Sequence, residues 1–438
     1  MQSVLAKLSC CRTKVMGERW YQCDGCEQLS VVYNSCGDRH CPQCRGAKRS
    51  QWTDRASQLL LEDVDYYQVV FTLPDTLSRM ALANRMAMAD LLCKSAWKSL
   101  AKMIRREQGY DPAAMMVLHT WNQRLDAHWH VHCVVPGGGP SLDDSSWRTS
   151  RRPGSSMIGD YLVDAINLRT AYRKIAISHL KRLYKRGELK LEGEFSHLQD
   201  AAQWKTFIAE LESKEWVSYI EPPPQANSKP EHVVRYLARY LTGGPISDAR
   251  ILEADEHQVT FLAREGKTTG GEEIQVPVTL TTEQFVQRWC LHIQPDQLTK
   301  TRYFGGWSNT LRRNYLQRCQ ALNRNPALPQ GHPDSGDGRD DESTICPHCG
   351  EALLRMISRT PRPSWKELLN QRSEHCPSWY RQTLIDEERT FWDNLMGEGY
   401  SDWYDEHIKS PLEVARATPR PSPPIQLTLP GICLSHYD

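Results

Sequence analysis

His128-Trp129-His130-Val131-His132-Cys133-Val134-Val135-Pro136-Gly137-Gly138-Gly139 reads as a β-strand that ends in a glycine turn. Side chains alternate across a strand, so His128, His130 and His132 share one face and Trp129, Val131 and Cys133 the other. Three imidazoles in a row do not build an apolar core. Residues two apart lie about 6–7 Å apart at Cα, within reach of one metal ion. A straight strand does not readily bring all three to one ion. His130 and His132 therefore read as a ligand pair, and His128 is left open. A histidine-rich edge strand facing solvent would show the same pattern.

Outward from this stretch, Ala113 to Trp121 reads as a strand joined to it by a short turn, a hairpin. Tyr66 to Leu73 reads as another strand, stopped by Pro74, and residues 76–108 as one or two helices. A basic helix is expected over 165–186, strands over 216–221, 258–264 and 274–280, and a helix over 282–292. Strands and helices mix without βα alternation. The expected class is α+β, with a mainly antiparallel sheet flanked by helices.

Pro230 to Gly244 reads as a helix, with Pro230 in its first turn and Gly243 at its carboxyl cap. Val233, Val234, Leu237, Ala238 and Leu241 form its apolar arc. Arg235 and Arg239 lie opposite, and Tyr236 and Tyr240 are neighbours on the flank between. A phenol can attack a phosphodiester while a guanidinium neutralises its charge. Two tyrosines at the wet edge of a core would give the same spacing.

The chain has 438 residues, a formal charge of +1, 39% hydrophobic residues and fifteen cysteines. Its length suggests two or three domains. No apolar run approaches the roughly 20 residues of a membrane span, and no secretory segment opens the sequence, so a cytoplasmic protein is expected. Cys23-x2-Cys26 and Cys41-x2-Cys44 are zinc knuckles, read as one four-sulfur site. Cys11, Cys36 and His40 are then left over, enough to allow a second zinc. So small a ribbon needs the metal to fold. Arg12, Lys14, Arg39, Arg45, Lys48 and Arg49 suit contact with a nucleic-acid backbone.

Several ordered stretches carry a resemblance. They are Cys11-Arg12-Thr13, Tyr33 to Cys44, Thr120-Trp121-Asn122-Gln123, His128 to Gly139, Tyr236-Leu237-Ala238-Arg239-Tyr240, Pro245 to Ile251, Phe285-Val286-Gln287-Arg288 with His292, and Arg302-Tyr303-Phe304-Gly305. Together, over about residues 10–310, they resemble the two-tyrosine HUH endonucleases. More narrowly they are similar to the rolling-circle insertion-sequence transposases of the group that includes the ISCR elements. Residues 161–186 keep the family's aromatic-basic pattern poorly.

The resemblance implies nicking and rejoining of single-stranded DNA through 5′-phosphotyrosine intermediates, with Tyr236 and Tyr240 as nucleophiles. It implies a catalytic Mg²⁺ or Mn²⁺ on His130, His132 and a third ligand. His128 is favoured by proximity, with Gln123 and Asp126 next and His119 and Thr72 behind. The implied partners are single-stranded element ends and a host helicase or replication machinery, in a nucleoid-associated bacterial protein. Gly266-Lys267-Thr268 looks like the end of a phosphate loop, but Phe261 stands where its first glycine belongs, so no motor is expected. A replication initiator or relaxase would share this chemistry. A zinc-dependent DNA-binding protein without catalysis, or a metallohydrolase on the histidine strand, would not need the tyrosines.

Residues 297–333 carry Arg302, Arg312 and Arg313 among interleaved Tyr303, Trp307 and Tyr315, a pattern suited to single-stranded DNA. Residues 334–342 read as an acidic linker. Cys346-x2-Cys349 is a further knuckle whose nearest completing residues are His375 and Cys376. The domain reading is a zinc-binding, DNA-contacting unit (1–50), a nuclease (60–300), a basic DNA-contacting segment (301–333), and a linker, knuckle, helical region and proline-rich tail (334–438).

Overall fold

The computed structural model describes residues 2–44, 56–157, 160–223, 244–267, 272–325, 345–350 and 353–409. Helix α1 (Gln2–Ser9) precedes the hairpin of β1 (Glu18–Cys23) and β2 (Leu29–Tyr33). Then come β3 (Tyr66–Thr72), α2 (Asp75–Ala83), α3 (Arg85–Glu107), β4 (Ala113–Trp121), β5 (Ala127–Pro136), β6 (Gly138–Pro140) and β7 (Trp147–Thr149). Helices α4 (Ala165–Lys185) and α5 (Ala201–Ser213) lead to β8 (Ser218–Glu221). After β8 come β9 (Ile251–Ala254), β10 (Gln258–Lys267), β11 (Glu273–Thr281), α6 (Thr282–Cys290), β12 (Thr301–Gly305) and α7 (Arg312–Ala321). The last elements are β13 (Leu354–Arg359), α8 (Trp365–Leu368), α9 (Ser378–Met396) and α10 (Tyr400–Tyr404).

The centre is a five-stranded antiparallel sheet in the order β12-β4-β5-β3-β8. The expected α+β class, with an antiparallel sheet, a cysteine-rich amino-terminal unit and a helical carboxyl-terminal region, is the class observed. One sheet face carries Val69, Phe71, Leu118, Trp129, Val131 and Cys133, all buried under α2 to α5. Helix α3 covers it because Met88, Leu92, Ala96, Leu100 and Ile104 recur at helical spacing. Asn84 separates α2 from α3, its amide donating to the carbonyls of Met80 and Lys190 (both 3.0 Å). Asp164 caps α4 and Thr281 closes a capping box on α6.

On the opposite face, Tyr66, Met115, Val117 and Val134 are covered by Trp307 and Tyr315 at one end of the strands. The other end of that face belongs to the histidines. Thr301–Gly305, read from sequence as the start of a basic segment, is the edge strand β12, with α7 packing behind it. The glycine run is not a turn. The chain bends at Gly137 and goes on as β6, paired with β7. A Cβ at Gly139 would lie 2.7 Å from the Asp111 carbonyl oxygen, so close packing requires glycine there.

A second antiparallel sheet, β11-β10-β9, packs with Phe261 and Leu280 against Leu125 in the β4–β5 turn. A third, β13-β1-β2, joins the amino-terminal hairpin to a strand more than 300 residues later. Helix α1 lies between the end of α6 and the carboxyl-terminal region, with Val4 against Cys290 and Ile293, and Ala6 against Cys376 and Tyr380. Among the described residues, no helix is long and apolar enough to cross a membrane.

Candidate metal centres and nucleic-acid face

Residues directly opposite on antiparallel strands point to the same side of the sheet. His119 on β4 lies opposite His130 on β5, and Val117 lies opposite His132. His119, His130 and His132 thus converge on one face. Each offers a ring nitrogen, and the three nitrogens lie within 4.8 Å of one another. Ring centroids are 5.3 Å apart for His119–His130, 4.7 Å for His119–His132 and 5.0 Å for His130–His132. His128, favoured from sequence as the third ligand, points the same way but stands farther along the strand, 3.8 Å from the Asp75 carboxylate. Proximity in sequence favoured His128; the neighbouring strand brings His119 closer. Asp126 instead pairs with Arg288 (2.8 Å), and Thr72 lies opposite His130 on β3.

Burial holds the His130 imidazole far below its usual range, at about 3, and His132 at about 4. Both rings are therefore neutral at physiological pH, the form in which imidazole binds metal. His130 Nδ1 lies 3.0 Å from the His128 carbonyl oxygen and so carries the proton, leaving Nε2 its lone pair. Gln68 on β3 lies 3.0 Å from His132 Nδ1. Trp121 stacks on His119 at 4.7 Å, and Lys300 lies over Trp121.

The cysteines gather in two groups, not in the pairing that knuckle spacing suggested. Cys11, Cys36, Cys41 and Cys44 form one and Cys23, Cys26, Cys346 and Cys349 the other. In the first, Cys11 and Cys36 each lie 3.6 Å from Cys44, and Cys11 lies 3.5 Å from Cys41. Four sulfurs around zinc at about 2.3 Å stand about 3.8 Å apart. Backbone N–H groups of Gly37 and Asp38 point at Cys44 and Cys36 sulfurs (3.3 and 3.4 Å), as they do toward thiolates. The reason for the regrouping is the β1–β2 hairpin. Cys11 and Cys36 flank its base, whereas Cys23 and Cys26 sit at its tip. A six-residue strand spans roughly 20 Å, so base and tip cannot share an ion.

His40, named with the zinc ligands, has both ring nitrogens engaged elsewhere. Nδ1 donates to Asp38 (3.0 Å) and Nε2 accepts from the Gln294 N–H (3.1 Å). Arg39 donates to the carbonyls of Leu298 (2.8 Å), Gln294 (3.0 Å) and Pro295. These two residues dock the cysteine-rich unit on the segment after α6. Gln294 continues to Thr120 (3.2 Å), beside His119, and Thr120 to His292 (3.1 Å). Nothing in the spacing of these residues signals such a seam. His375 and Cys376 do not join Cys346 and Cys349; Cys376 is buried against α1.

Of the expected DNA-contacting residues, Arg313 is exposed on α7. Arg312 lies over the Tyr303 ring at 4.7 Å, while Arg302 is half-buried in an ion pair with Asp90 (2.6 Å). Trp307 and Tyr315 are core residues, 0% and 1% exposed, so neither can stack on a base. Arg235, Tyr236, Arg239 and Tyr240 lie outside the described residues.

Two family profiles match the chain. One, described as "Transposase zinc-binding domain", covers residues 1–73; the other, described as "Putative transposase", covers 113–314. The putative transposase y4qJ of Sinorhizobium fredii is 31% identical over 73% of this chain and 77% of its own length. The chain belongs to the rolling-circle insertion-sequence transposases. The transposase for insertion sequence element IS801 of Pseudomonas savastanoi pv. phaseolicola is 26% identical over 72% of each chain. No solved structure matches the chain. This transposase therefore acts on DNA and carries a structural zinc-binding domain. The first profile takes in one complete four-cysteine group; the second takes in the histidine face.

Proposed function

We propose that this transposase nicks and rejoins single-stranded element ends through 5′-phosphotyrosine intermediates, using Tyr236 and Tyr240 beside a divalent ion on His119, His130 and His132. The observation that carries the reading is the convergence of three imidazole nitrogens on one sheet face. Three imidazole nitrogens suit manganese better than magnesium, which prefers oxygen ligands. An ion held by His119, His130 and His132 would supply a Lewis acid for the scissile phosphate. Glu221 on β8 lies opposite Gln68, the neighbour of His132, and Ile246 packs with Leu125 in the β4–β5 turn.

The chemistry balances on the chain's own groups. A Tyr236 or Tyr240 oxygen loses its proton and bonds to phosphorus; the bond to the 3′ oxygen breaks, and that oxygen takes a proton. Rejoining reverses these steps with an incoming 3′-hydroxyl. The second tyrosine allows a second cleavage before the first link is resolved. Arg235 and Arg239 neutralise phosphate charge, and Arg312 and Arg313 contact the flanking backbone. Cys11, Cys36, Cys41 and Cys44 hold a structural zinc, and the zinc-binding unit, docked through Arg39 and His40, contacts DNA alongside the nuclease segment. Strand separation falls to a host helicase or replication fork, in the bacterial nucleoid. Gly266 and Lys267 belong to a β-hairpin, with Phe261 in its core.

A labelled single-stranded oligonucleotide carrying an element end, incubated with Mn²⁺ or Mg²⁺, tests the reading. A metal-dependent covalent adduct on a denaturing gel is expected, absent from the Tyr236→Phe/Tyr240→Phe variant. An adduct that survives this double change would overturn the assignment. DNA binding without any adduct would favour a binding protein.

A further inference from the structure

Cys346 and Cys349 lie beyond both family matches, the later of which ends at residue 314. They stand at the tip of the β1–β2 hairpin. Cys349 Sγ is 3.7 Å from Cys23 Sγ, and Cys346 Sγ is 3.8 Å from Cys26 Sγ. All four sulfurs lie within 4.8 Å of one another, close to the roughly 3.8 Å edges of a zinc tetrathiolate. Both halves are knuckles of the same make. The N–H groups of Gly25 and Cys26 point at Cys23 (3.3 and 3.4 Å), and that of His348 points at Cys346 (3.4 Å). An antiparallel bridge from Ile345 to Leu353 folds the second knuckle back, and β13 then runs along β1 from Leu354 opposite Cys23.

We infer that Cys23, Cys26, Cys346 and Cys349 hold one zinc ion between them, a clip that fastens the carboxyl-terminal segment to the amino-terminal hairpin. The three-stranded sheet has little apolar core of its own. In β2 and β13 no residue is buried, and Leu29, Val32, Met356 and Ile357 are exposed. A sheet with so small a core needs a metal or another staple. Zinc binding displaces the thiol protons, so the clip is strongest where thiols ionise readily.

Zinc counting on the full chain tests this. Cys346→Ser/Cys349→Ser and Cys23→Ser/Cys26→Ser should each lose one zinc relative to the unmodified protein, and the fourfold variant should lose that same single zinc. Retention of the full count by either pair, or loss of two by the fourfold variant, would overturn the clip. A titration of the metal-stripped, unmodified chain with Co²⁺ needs no variant. Thiolate-to-cobalt charge transfer should rise linearly to two equivalents; a break at one would overturn the shared site.

Discussion

His119 and His132, the outermost of the three converging histidines, are thirteen residues apart on one hairpin, whereas Cys23 and Cys349 are 326 residues apart and meet across a sheet made from both ends of the chain. The imidazole group lies on strands whose other face is buried under four helices. The thiolate groups lie where there is almost no apolar core besides the cysteines, Met16 and Leu368. The first group inherits its geometry from a scaffold that stands without it. The second must make its own scaffold by binding metal. Loss of a cysteine should therefore cost structure, and loss of a histidine should cost chemistry.

The largest effect is expected at the hairpin base. Cys36→Ser should release a zinc and unfold the amino-terminal unit, because structural zinc sites contribute about 10 kcal/mol or more of apparent folding energy. Zinc content should fall and protease should cut within residues 2–44, while the core of β3, β4 and β5 keeps its thermal transition. A variant that kept its zinc and its protease resistance would erase the contrast between the two kinds of centre.

The next effect should invert that result. His119→Ala should slow metal-dependent nicking about a thousandfold, the roughly 4 kcal/mol expected for a lost ligand to a charge-stabilising ion. Its melting temperature should stay within a few degrees of the parent. His128→Ala should change the rate less than threefold. Equal losses in the two variants would return His128 to the ligand set.

The ligand types were legible in sequence; which ones meet was less so. Strand alternation put His130 and His132 on one face because the period is two and cannot slip without exposing Trp129 and Val131. It said nothing of His119, because strand register depends on a turn whose bulge, between His119 and Trp121, no short-range pattern announces. Knuckle spacing marked Cys23/Cys26, Cys41/Cys44 and Cys346/Cys349 as half-sites, but each half-site is satisfied by any other. Only the hairpin's length decided the pairing. The basic residues of 297–333 were visible too. The burial of Trp307 and Tyr315 behind the sheet was not, because an aromatic residue reads alike in a core and in a DNA groove.

His292 separates a structural histidine from a metal-binding one. It is 2% exposed, with Nδ1 against Thr120 and Nε2 donating to the Leu125 carbonyl at 3.0 Å. Burial holds its folded pKa down to about 4. The unfolded chain binds this proton from about pH 6.5 downward and the folded one does not. The stability His292 contributes is therefore complete above that range and is lost as pH falls toward 4. Between pH 7 and 5 this amounts to about 2 kcal/mol. His292→Gln should remove that share of the pH dependence in denaturant melts, leaving the metal requirement for nicking unchanged. An unaltered pH profile would mean that His292 takes up its proton as readily in the fold as in the unfolded chain.

The smallest effect tests how the imidazole site is tuned from behind. With the Gln68 Nε2 placed toward His132 Nδ1, the Gln68 Oε1 is buried without a hydrogen-bond partner. Exchanging the two ends of the amide lets Oε1 accept from Nδ1–H and leaves the His132 Nε2 lone pair for metal. The amide nitrogen then turns toward β8, where Glu221 is the directly opposite residue. Partners of this kind fix a ligand's tautomer, and losing one costs about tenfold in metal affinity. Gln68→Leu should thus weaken Mn²⁺ binding about tenfold, with the nicking rate restored at saturating metal. Gln68→Glu should keep parental affinity or exceed it, since a carboxylate accepts the same proton more strongly. If both variants bound Mn²⁺ as the parent does, His132 would have to meet the metal through Nδ1, and Gln68 would be packing alone.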